Sequence, residues 1–207
     1  MSDWVDEAIV DGNRRILRED ALLLIRACEA TRAKAILEIG SMEGCSTIVL
    51  GKWAQENGGH LYAIEPRVKG RLRENLAKWG LRNAVTVIPQ ASPWVTEPLP
   101  ELDVLFIDGC HLTRWALVDY HYWIPRVRLG GIVVFHDWCG GKGVNRQIQR
   151  AVEIVLESDG PQGDETSDMA KIVRSQRMPE GWHLEEFGRV EAKDRGSIAF
   201  QKIKDIA

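Results

Sequence analysis

Short apolar runs alternate along this chain with longer segments in which apolar residues recur at helical spacing. Five runs are apolar almost throughout and predict buried strands: AKAILEIG, HLYAIEP, AVTVIPQAS, DVLFIDG and GGIVVFHDW. Amphipathic patterns predict helices from about Asp11 to Ala30 and in EGCSTIVLGKWAQENGG, VKGRLRENLAKWGL, HLTRWALVDYHYWIPRV and GVNRQIQRAVEIVLES. A strand that is apolar throughout is covered on both faces, so the alternation predicts a parallel sheet between helices.

The order of these elements predicts a doubly wound α/β fold with one Rossmann-like, mostly parallel sheet. Successive strands are separated by helices, except that a short link joins the third strand to the fourth, and right-handed crossovers follow. Beyond the last helix, a polar stretch at 159–168 predicts a loop. The runs WHLEEFGRV and SIAFQKI then predict a C-terminal antiparallel hairpin.

The length of 207 residues favours a single domain. Within 1–207 we expect an N-terminal helical cap at 1–33, a ligand-binding core at 34–158, and a loop with the closing hairpin at 159–207. The net charge is −3 and basic residues are scattered among acids, which indicates neither a nucleic-acid nor a membrane partner. The four cysteines form no C-x-x-C motif, and no signal peptide precedes the first helix, so reduced thiols in a cytoplasmic protein are expected.

Polar residues or glycines end every predicted strand of the parallel sheet, where ligands bind in open α/β folds. Packing alone would not require this. The first turn, LEIGSMEGCS, can bend at Gly40 and Gly44 and expose the amides of the following helix. It matches neither G-x-G-x-x-G nor G-x-x-x-x-G-K-[ST], the motifs of loops that bind phosphate groups. The turn is therefore expected to contact a carboxylate or amino-acid group of a ligand rather than a pyrophosphate. A plain strand-to-helix turn is the alternative.

Two further strand ends carry acids with candidate roles. Glu65 ends the second strand at the spacing of an acid that binds ribose hydroxyls, although a surface glutamate is the alternative. Asp108 and Asp137 end neighbouring strands, so their carboxylates should converge near His136. Two carboxylates with an imidazole predict a divalent metal site of Asp108, His136 and Asp137, suited to Mg²⁺ (or Mn²⁺) more than to Zn²⁺. Asp108 could instead cap the helix that follows it.

The motifs LEIGSMEGCS, YAIEP, FIDGCH and GGIVVFHDW follow one another in this order. Together they resemble the class I S-adenosylmethionine (SAM)-dependent methyltransferases, over roughly Ala35 to Val155. The resemblance is to the group with I-D-G-x-H and G-G-x-x-x-x-H-D motifs, which includes macrocin-type O-methyltransferases and cephalosporin hydroxylase-like proteins. It implies SAM as cofactor and O-methylation of a hydroxylated small molecule.

The resemblance also implies roles for individual residues. Glu38, Gly40 and Ser41, with Gly44 beside them, would shape the methionine pocket, and Glu65 would hold the ribose. Ala91 and Ser92 would border the adenine. Asp108 would lie near the methionine or join Asp137 on a metal, and His111 would be the general base, so the implied catalytic residues are His111, Asp108 and Asp137. In metal-dependent relatives an acid precedes the second aspartate, whereas here that position is His136.

Two other functions remain open. An NAD(P)-dependent oxidoreductase would share the fold and the ribose-binding acid, but the chain lacks both G-x-G-x-x-G and a Tyr-x-x-x-Lys pair. A non-catalytic protein of the SAM-binding fold could use its eight tryptophans to line an interface, and a homo-oligomer would fit that reading as well. The acidic and histidine residues at the strand ends favour catalysis.

Overall fold

The computed structural model describes residues 4–139, 143–157, 182–192 and 196–204. The helices are α1 (Trp4–Asp11), α2 (Arg18–Thr31), α3 (Cys45–Asn57), α4 (Gly70–Lys78), α5 (Thr113–Trp123) and α6 (Gly143–Glu157). The strands are β1 (Ala35–Ile39), β2 (His60–Ile64), β3 (Val85–Ile88), β4 (Leu102–Ile107), β5 (Val127–Phe135), β6 (Trp182–Arg189) and β7 (Ile198–Lys204). In these ranges no helix is long and apolar enough to cross a membrane.

All seven strands form one sheet in the order β3-β2-β1-β4-β5-β7-β6. Strands β1 to β5 pair with one another in parallel, and β7 lies antiparallel between β5 and β6. The predicted doubly wound α/β fold with a C-terminal antiparallel hairpin is therefore confirmed. The strand order reverses between β1 and β4, and the carboxyl ends of strands at such a switch point form a crevice for ligands.

Helices cover both faces of the sheet, as the apolar strands require. Side chains of β4 alternate: Val104 and Phe106 pack into the apolar cluster formed with α1, α2 and α3, and Leu105 and Ile107 pack into the cluster formed with α5 and α6. This alternation is the two-residue period of an extended strand. Burial on both faces explains why the strands read as continuous apolar runs.

The N-terminal region differs from the predicted single helix over Asp11 to Ala30, whose boundaries are wrong. The structure ends α1 at Asp11 and begins α2 at Arg18. Asn13 and Arg14 between them adopt left-handed backbone conformations, with φ of 65° and 55°, which interrupt a helix. The amphipathic pattern runs on through the turn because both helices bury apolar residues against the same face. The predicted loop at 159–168 lies outside the described residues.

Candidate active site

A cavity of about 940 Å³ opens at the carboxyl ends of the parallel strands. Its volume lies in the range of sites for small molecules and cofactors. Turns after all five parallel strands contribute to its wall, together with the α1–α2 turn. The wall includes Gly40, Met42, Glu65, Pro66, Ala91, Ser92, Trp94, Asp108, His111, His136 and Asp137.

The turn after β1 requires glycine at position 40. Gly40 has a φ of 92°, and a Cβ atom there would lie 2.2 Å from the backbone oxygen of Asp108. A side chain would therefore clash with the end of β4, because the two turns meet at the switch point. The absent side chain lets both turns contribute backbone to the same part of the cavity wall.

Glu38 supports this turn from behind and does not line the cavity. Its side chain is fully buried, and its carboxylate accepts hydrogen bonds from the hydroxyls of Ser41, Ser46 and Thr47. Burial raises the pKa of Glu38 to about 7, although the three hydroxyl donors act in the opposite direction. Glu38 therefore joins the turn after β1 to the first turn of α3.

The eight residues predicted for the cofactor site thus divide into two groups. Five line the cavity, and they are Gly40, Glu65, Ala91, Ser92 and Asp108. The other three, Glu38, Ser41 and Gly44, do not contribute to its wall, and Gly44 precedes α3.

Glu65 connects the turns after β1 and β2. Its two carboxylate oxygens accept the backbone amides of Met42 and Arg67, both at 2.9 Å. Glu65 is also part of the cavity wall. Each carboxylate oxygen can accept more than one hydrogen bond, so the side chain can still bind ligand hydroxyls.

Four side chains predicted to converge do so at the ends of β4 and β5. Asp108 Oδ1 lies 3.2 Å from His111 Nε2 and 3.1 Å from His136 Nδ1. The carboxylate of Asp137 lies 3.6 Å from His111 Nε2 and 3.5 Å from His136 Nδ1. Asp137 has a φ of 54°, a left-handed conformation that aspartate tolerates better than most residues. Strained backbone of this kind is often found at functional sites.

A buried acid that the sequence analysis did not single out completes this cluster. The carboxylate of Asp20, in the first turn of α2, lies 3.5 Å from His136 Nε2. It is fully buried and accepts hydrogen bonds from Ser197 Oγ at 2.7 Å and from the Leu17 amide at 3.0 Å. The signal in the sequence was its helical spacing, which puts Asp20 on the apolar stripe with Leu24.

The charges of the cluster depend on one another. Burial would lower the pKa of His136, but the carboxylates of Asp108, Asp20 and Asp137 raise it well above its usual value. Burial would raise the pKa of Asp108, but His136 and His111 hold it below its usual value. The hydrogen bond to Asp108 raises the pKa of His111 against the effect of partial burial. The surrounding carboxylates therefore favour the protonated form of His136.

Both nitrogens of His136 face carboxylates, Nδ1 that of Asp108 and Nε2 that of Asp20. A proton on either nitrogen competes with a metal, so the set of Asp108, His136 and Asp137 stays a prediction. An imidazolium carries protons on both nitrogens and has no lone pair for a metal. Among the described residues, the side chains that can present ligand atoms within 4.8 Å of one another are Asp108, His111 and Asp137. This geometric group contains His111 in place of the predicted His136.

The opposite end of the cavity, beside β3, is aromatic. The rings of Trp94 and Trp115 lie 6.2 Å apart, and both residues line the cavity with Pro66 and Pro93. Apolar rings of this kind suit a flat ligand group. The end beside β4 and β5 carries the cluster of two aspartates and two histidines described above. The cavity therefore has an aromatic end and a charged end.

Residues 37–138 match the family model described as a methyltransferase domain. A comparison with curated protein sequences finds no match. The chain is similar in fold to the O-methyltransferase TomG from Streptomyces achromogenes, involved in tomaymycin synthesis and solved with SAM. That structure is 17% identical with a TM-score of 0.67, over 97% of this chain and 90% of that one.

Two further solved structures have the same fold. An O-methyltransferase from Bacillus cereus, solved with S-adenosylhomocysteine (SAH), is 16% identical, with a TM-score of 0.67 over 97% of this chain and 91% of that one. A SAM-dependent O-methyltransferase from Thermotoga maritima is 17% identical, with a TM-score of 0.65 over 100% of this chain and 73% of that one. Residues 37–138 thus match a methyltransferase domain, and the chain has the fold of solved SAM-dependent O-methyltransferases.

Proposed function

We propose that this protein transfers the methyl group of SAM to a hydroxyl of a small molecule, with His111 as the general base. The observation that carries the proposal is the hydrogen bond between His111 and Asp108 on the wall of a cofactor-sized cavity at the switch point. The solved relatives named above are O-methyltransferases, which supports oxygen as the accepting atom.

The order of the strands suggests how SAM lies in the cavity. We place the ribose on Glu65, at the end of β2. The adenine and the methionine leave the ribose on different sides, so one extends toward β3 and the other toward β1 and β4. The aromatic end beside β3, with Ala91 and Ser92, suits the adenine. The methyl group then emerges near Asp108 and His111.

The chemistry requires little of the protein beyond alignment and one proton transfer. The methyl group of a sulfonium is already electrophilic, so the protein has to hold the acceptor oxygen in line with it. With Nε2–H donated to Asp108, the Nδ1 lone pair of His111 is left to take the hydroxyl proton. The resulting imidazolium is stabilised by the carboxylates of Asp108 and Asp137.

A divalent cation is the second candidate role for the same cluster. Two carboxylates and one imidazole offer donors that Mn²⁺ accepts readily and Mg²⁺ less so, because Mg²⁺ prefers oxygen. A bound cation would lower the pKa of the acceptor hydroxyl and position it. Asp108, His111 and Asp137 would hold the cation, and His111 would then not be the base. The protonated form of His136, which the same carboxylates favour, would oppose a second positive charge.

Exhaustive treatment with EDTA separates the two roles. If the cluster holds a metal, chelation lowers kcat, added Mn²⁺ or Mg²⁺ restores it, and Asp137→Ala abolishes the response because one of three ligands is lost. Asp137→Asn is a second variant that removes the charge without straining the backbone, because asparagine also tolerates the left-handed conformation at this position. Full activity after chelation refutes the metal role and leaves His111 as the base.

Replacement of Glu65 tests the cofactor site. We expect wild-type protein to bind SAH with a Kd on the order of 1 µM. Glu65→Ala should weaken SAM and SAH binding by about 1–3 kcal/mol, because hydrogen bonds from the ribose to a charged acceptor are lost. Calorimetric titration measures this. Glu74→Ala, which removes an exposed carboxylate from α4, is the control and should leave the Kd unchanged.

Unchanged SAH affinity in folded Glu65→Ala protein would contradict the ribose assignment. Thermal shift assays with SAM, SAH and NAD side by side test the oxidoreductase alternative, because a ribose-binding acid is common to both cofactor classes. Stabilisation by NAD alone would favour that alternative. Binding of SAM without turnover of any hydroxylated acceptor would favour a non-catalytic role.

The acceptor binds, in this proposal, near the charged end of the cavity. The turn between α1 and α2 contributes Asn13, Arg14 and Arg15 to the wall, and Asn145 of α6 contributes as well. We also expect the loop from Trp138 to Gly143 and the loop at 159–168 to shape the acceptor pocket. Residues 140–142 of the first loop and all of the second lie outside the described part of the chain. The acceptor class is therefore left as a hydroxylated small molecule.

A further inference from the structure

The turn between α1 and α2 places two adjacent arginines on the wall of the cavity. Arg14 and Arg15 line the cavity, and both residues are exposed. The chain has a net charge of −3, so this basic pair does not follow from a generally basic surface. Neither arginine takes part in the methyl transfer or the metal binding proposed above. Adjacent guanidinium groups on a concave wall are suited to bind an anion.

The backbone that carries the two arginines is fixed on both sides. Gly12 packs so closely on α3 that a Cβ atom there would lie 2.2 Å from Cys45 Cα. The amide of Arg14 donates to the carbonyl of Ile9 at 2.7 Å, and Ile16 is buried in the apolar core. Because the turn is held in place, less conformational entropy is lost when its side chains bind a ligand.

The turn crosses the part of the cavity where the methyl group is expected to emerge. On one side Gly12 contacts the start of α3, the helix that follows β1. On the other side the carboxylate of Asp20 lies 3.5 Å from His136 Nε2, just after β5. The chain between these contacts carries Arg14 and Arg15, which therefore lie at the charged end of the cavity.

The acids at the charged end have other cationic neighbours. The carboxylate of Asp108 lies 3.2 Å from His111 Nε2 and 3.1 Å from His136 Nδ1. The carboxylate of Asp137 lies 3.6 Å from His111 Nε2 and 3.5 Å from His136 Nδ1. The two imidazoles can balance these carboxylates, so the charge of the cluster does not by itself require arginines on the wall.

We propose that Arg14 and Arg15 bind an anionic group of the acceptor, a carboxylate or a phosphate, and hold the acceptor with its hydroxyl toward His111. This rests on the proposed function, because it assumes that SAM occupies the cavity and that a hydroxyl accepts the methyl group. Guanidinium groups bind carboxylate and phosphate oxygens through paired, charge-assisted hydrogen bonds. The acceptor class thereby narrows to hydroxylated carboxylates and phosphate esters.

Calorimetric titration of the SAH-bound protein with two pairs of probes tests the proposal. Gallate is compared with gallamide, and glucose 6-phosphate with glucose, so the members of each pair differ chiefly in the anionic group. In at least one pair, wild-type protein should bind the anionic member about tenfold or more tightly, the scale of a hydrogen bond to a charged group. Arg14→Gln/Arg15→Gln should lose this preference. The control Arg26→Gln/Arg73→Gln, which removes exposed arginines of α2 and α4, should keep it.

SAH carries a carboxylate of its own, so its affinity for each variant shows which ligand supplies the anion. Unchanged SAH affinity in Arg14→Gln/Arg15→Gln supports the proposal and shows that the variant is folded. A loss of about tenfold or more in folded variant protein assigns the arginines to the carboxylate of the cofactor and overturns the proposal. If the double variant does not fold, Arg14→Gln and Arg15→Gln replace it as single variants.

Two further results would overturn the proposal and leave the proposed methyltransferase function standing. One is a wild-type protein that binds SAH but prefers the anionic member of neither pair. The other is an anion preference that Arg14→Gln/Arg15→Gln retains in full. Wild-type protein that does not bind SAH has a different meaning, because the proposed function itself then fails.

Discussion

Replacing His111 with alanine is expected to lower kcat by about 10²–10⁴-fold, the usual contribution of a general base. Affinity for SAH should change little, because His111 contacts the acid cluster and is not expected to hold the cofactor. The side chain is partly exposed at the cavity wall, so its loss should leave the fold intact. Steady-state kinetics and SAH titration on folded variant protein measure both effects.

The matched control is His60→Ala. His60 lies at the start of β2, the opposite end of the strand from the cavity, and its imidazole contacts Thr86. This variant should retain wild-type kcat. A loss of less than about tenfold in His111→Ala would contradict the base assignment.

The pH dependence of the wild type adds a second readout. The hydrogen bond to Asp108 raises the pKa of His111 above its usual 6.5, and only the neutral imidazole can accept a proton. Activity should therefore be low at acidic pH and should rise with pH through a midpoint above 6.5. His111→Ala should lose this rise.

Replacing Asp20 with alanine is expected to lower the free energy of unfolding by about 3–5 kcal/mol, as is usual when one partner of a buried ion pair is removed. The change leaves the buried imidazole of His136 without the carboxylate next to its Nε2 atom. It also leaves the hydroxyl of Ser197 and the amide of Leu17 without their acceptor. These groups lie just before α2, just after β5 and just before β7, so the loss affects the contact between three elements.

Urea unfolding of three variants measures this effect. Asp20→Asn keeps an acceptor for Ser197 but removes the charge, so an intermediate loss is expected. Glu19→Ala removes the neighbouring acid of the same helical turn, whose side chain is exposed, and should cost less than about 1 kcal/mol. A loss for Asp20→Ala no larger than that for Glu19→Ala would show that the buried pair contributes little to stability.

Much of the fold was predictable because it depends on local pattern. Strands covered on both faces read as apolar runs, and the parallel topology follows from the helices between them. The convergence of Asp108 and Asp137 was predictable for the same reason, since both end neighbouring strands of one sheet. The turn between α1 and α2 was not predictable. An amphipathic pattern indicates which residues are buried, but it does not indicate that two residues adopt a positive φ.

The sequence by itself determined the fold class, the strand ends that carry chemistry and the residue types available there. Only the tertiary structure decided which of those residues reach the cavity. Glu38 is buried and accepts hydrogen bonds from three hydroxyls, whereas Glu65 lines the cavity wall. The tertiary structure also brought Asp20 against His136 and Ser197, a pairing that joins residues 177 positions apart. Such pairings depend on how helices dock on the sheet, and side-chain distances and charge states follow from that docking.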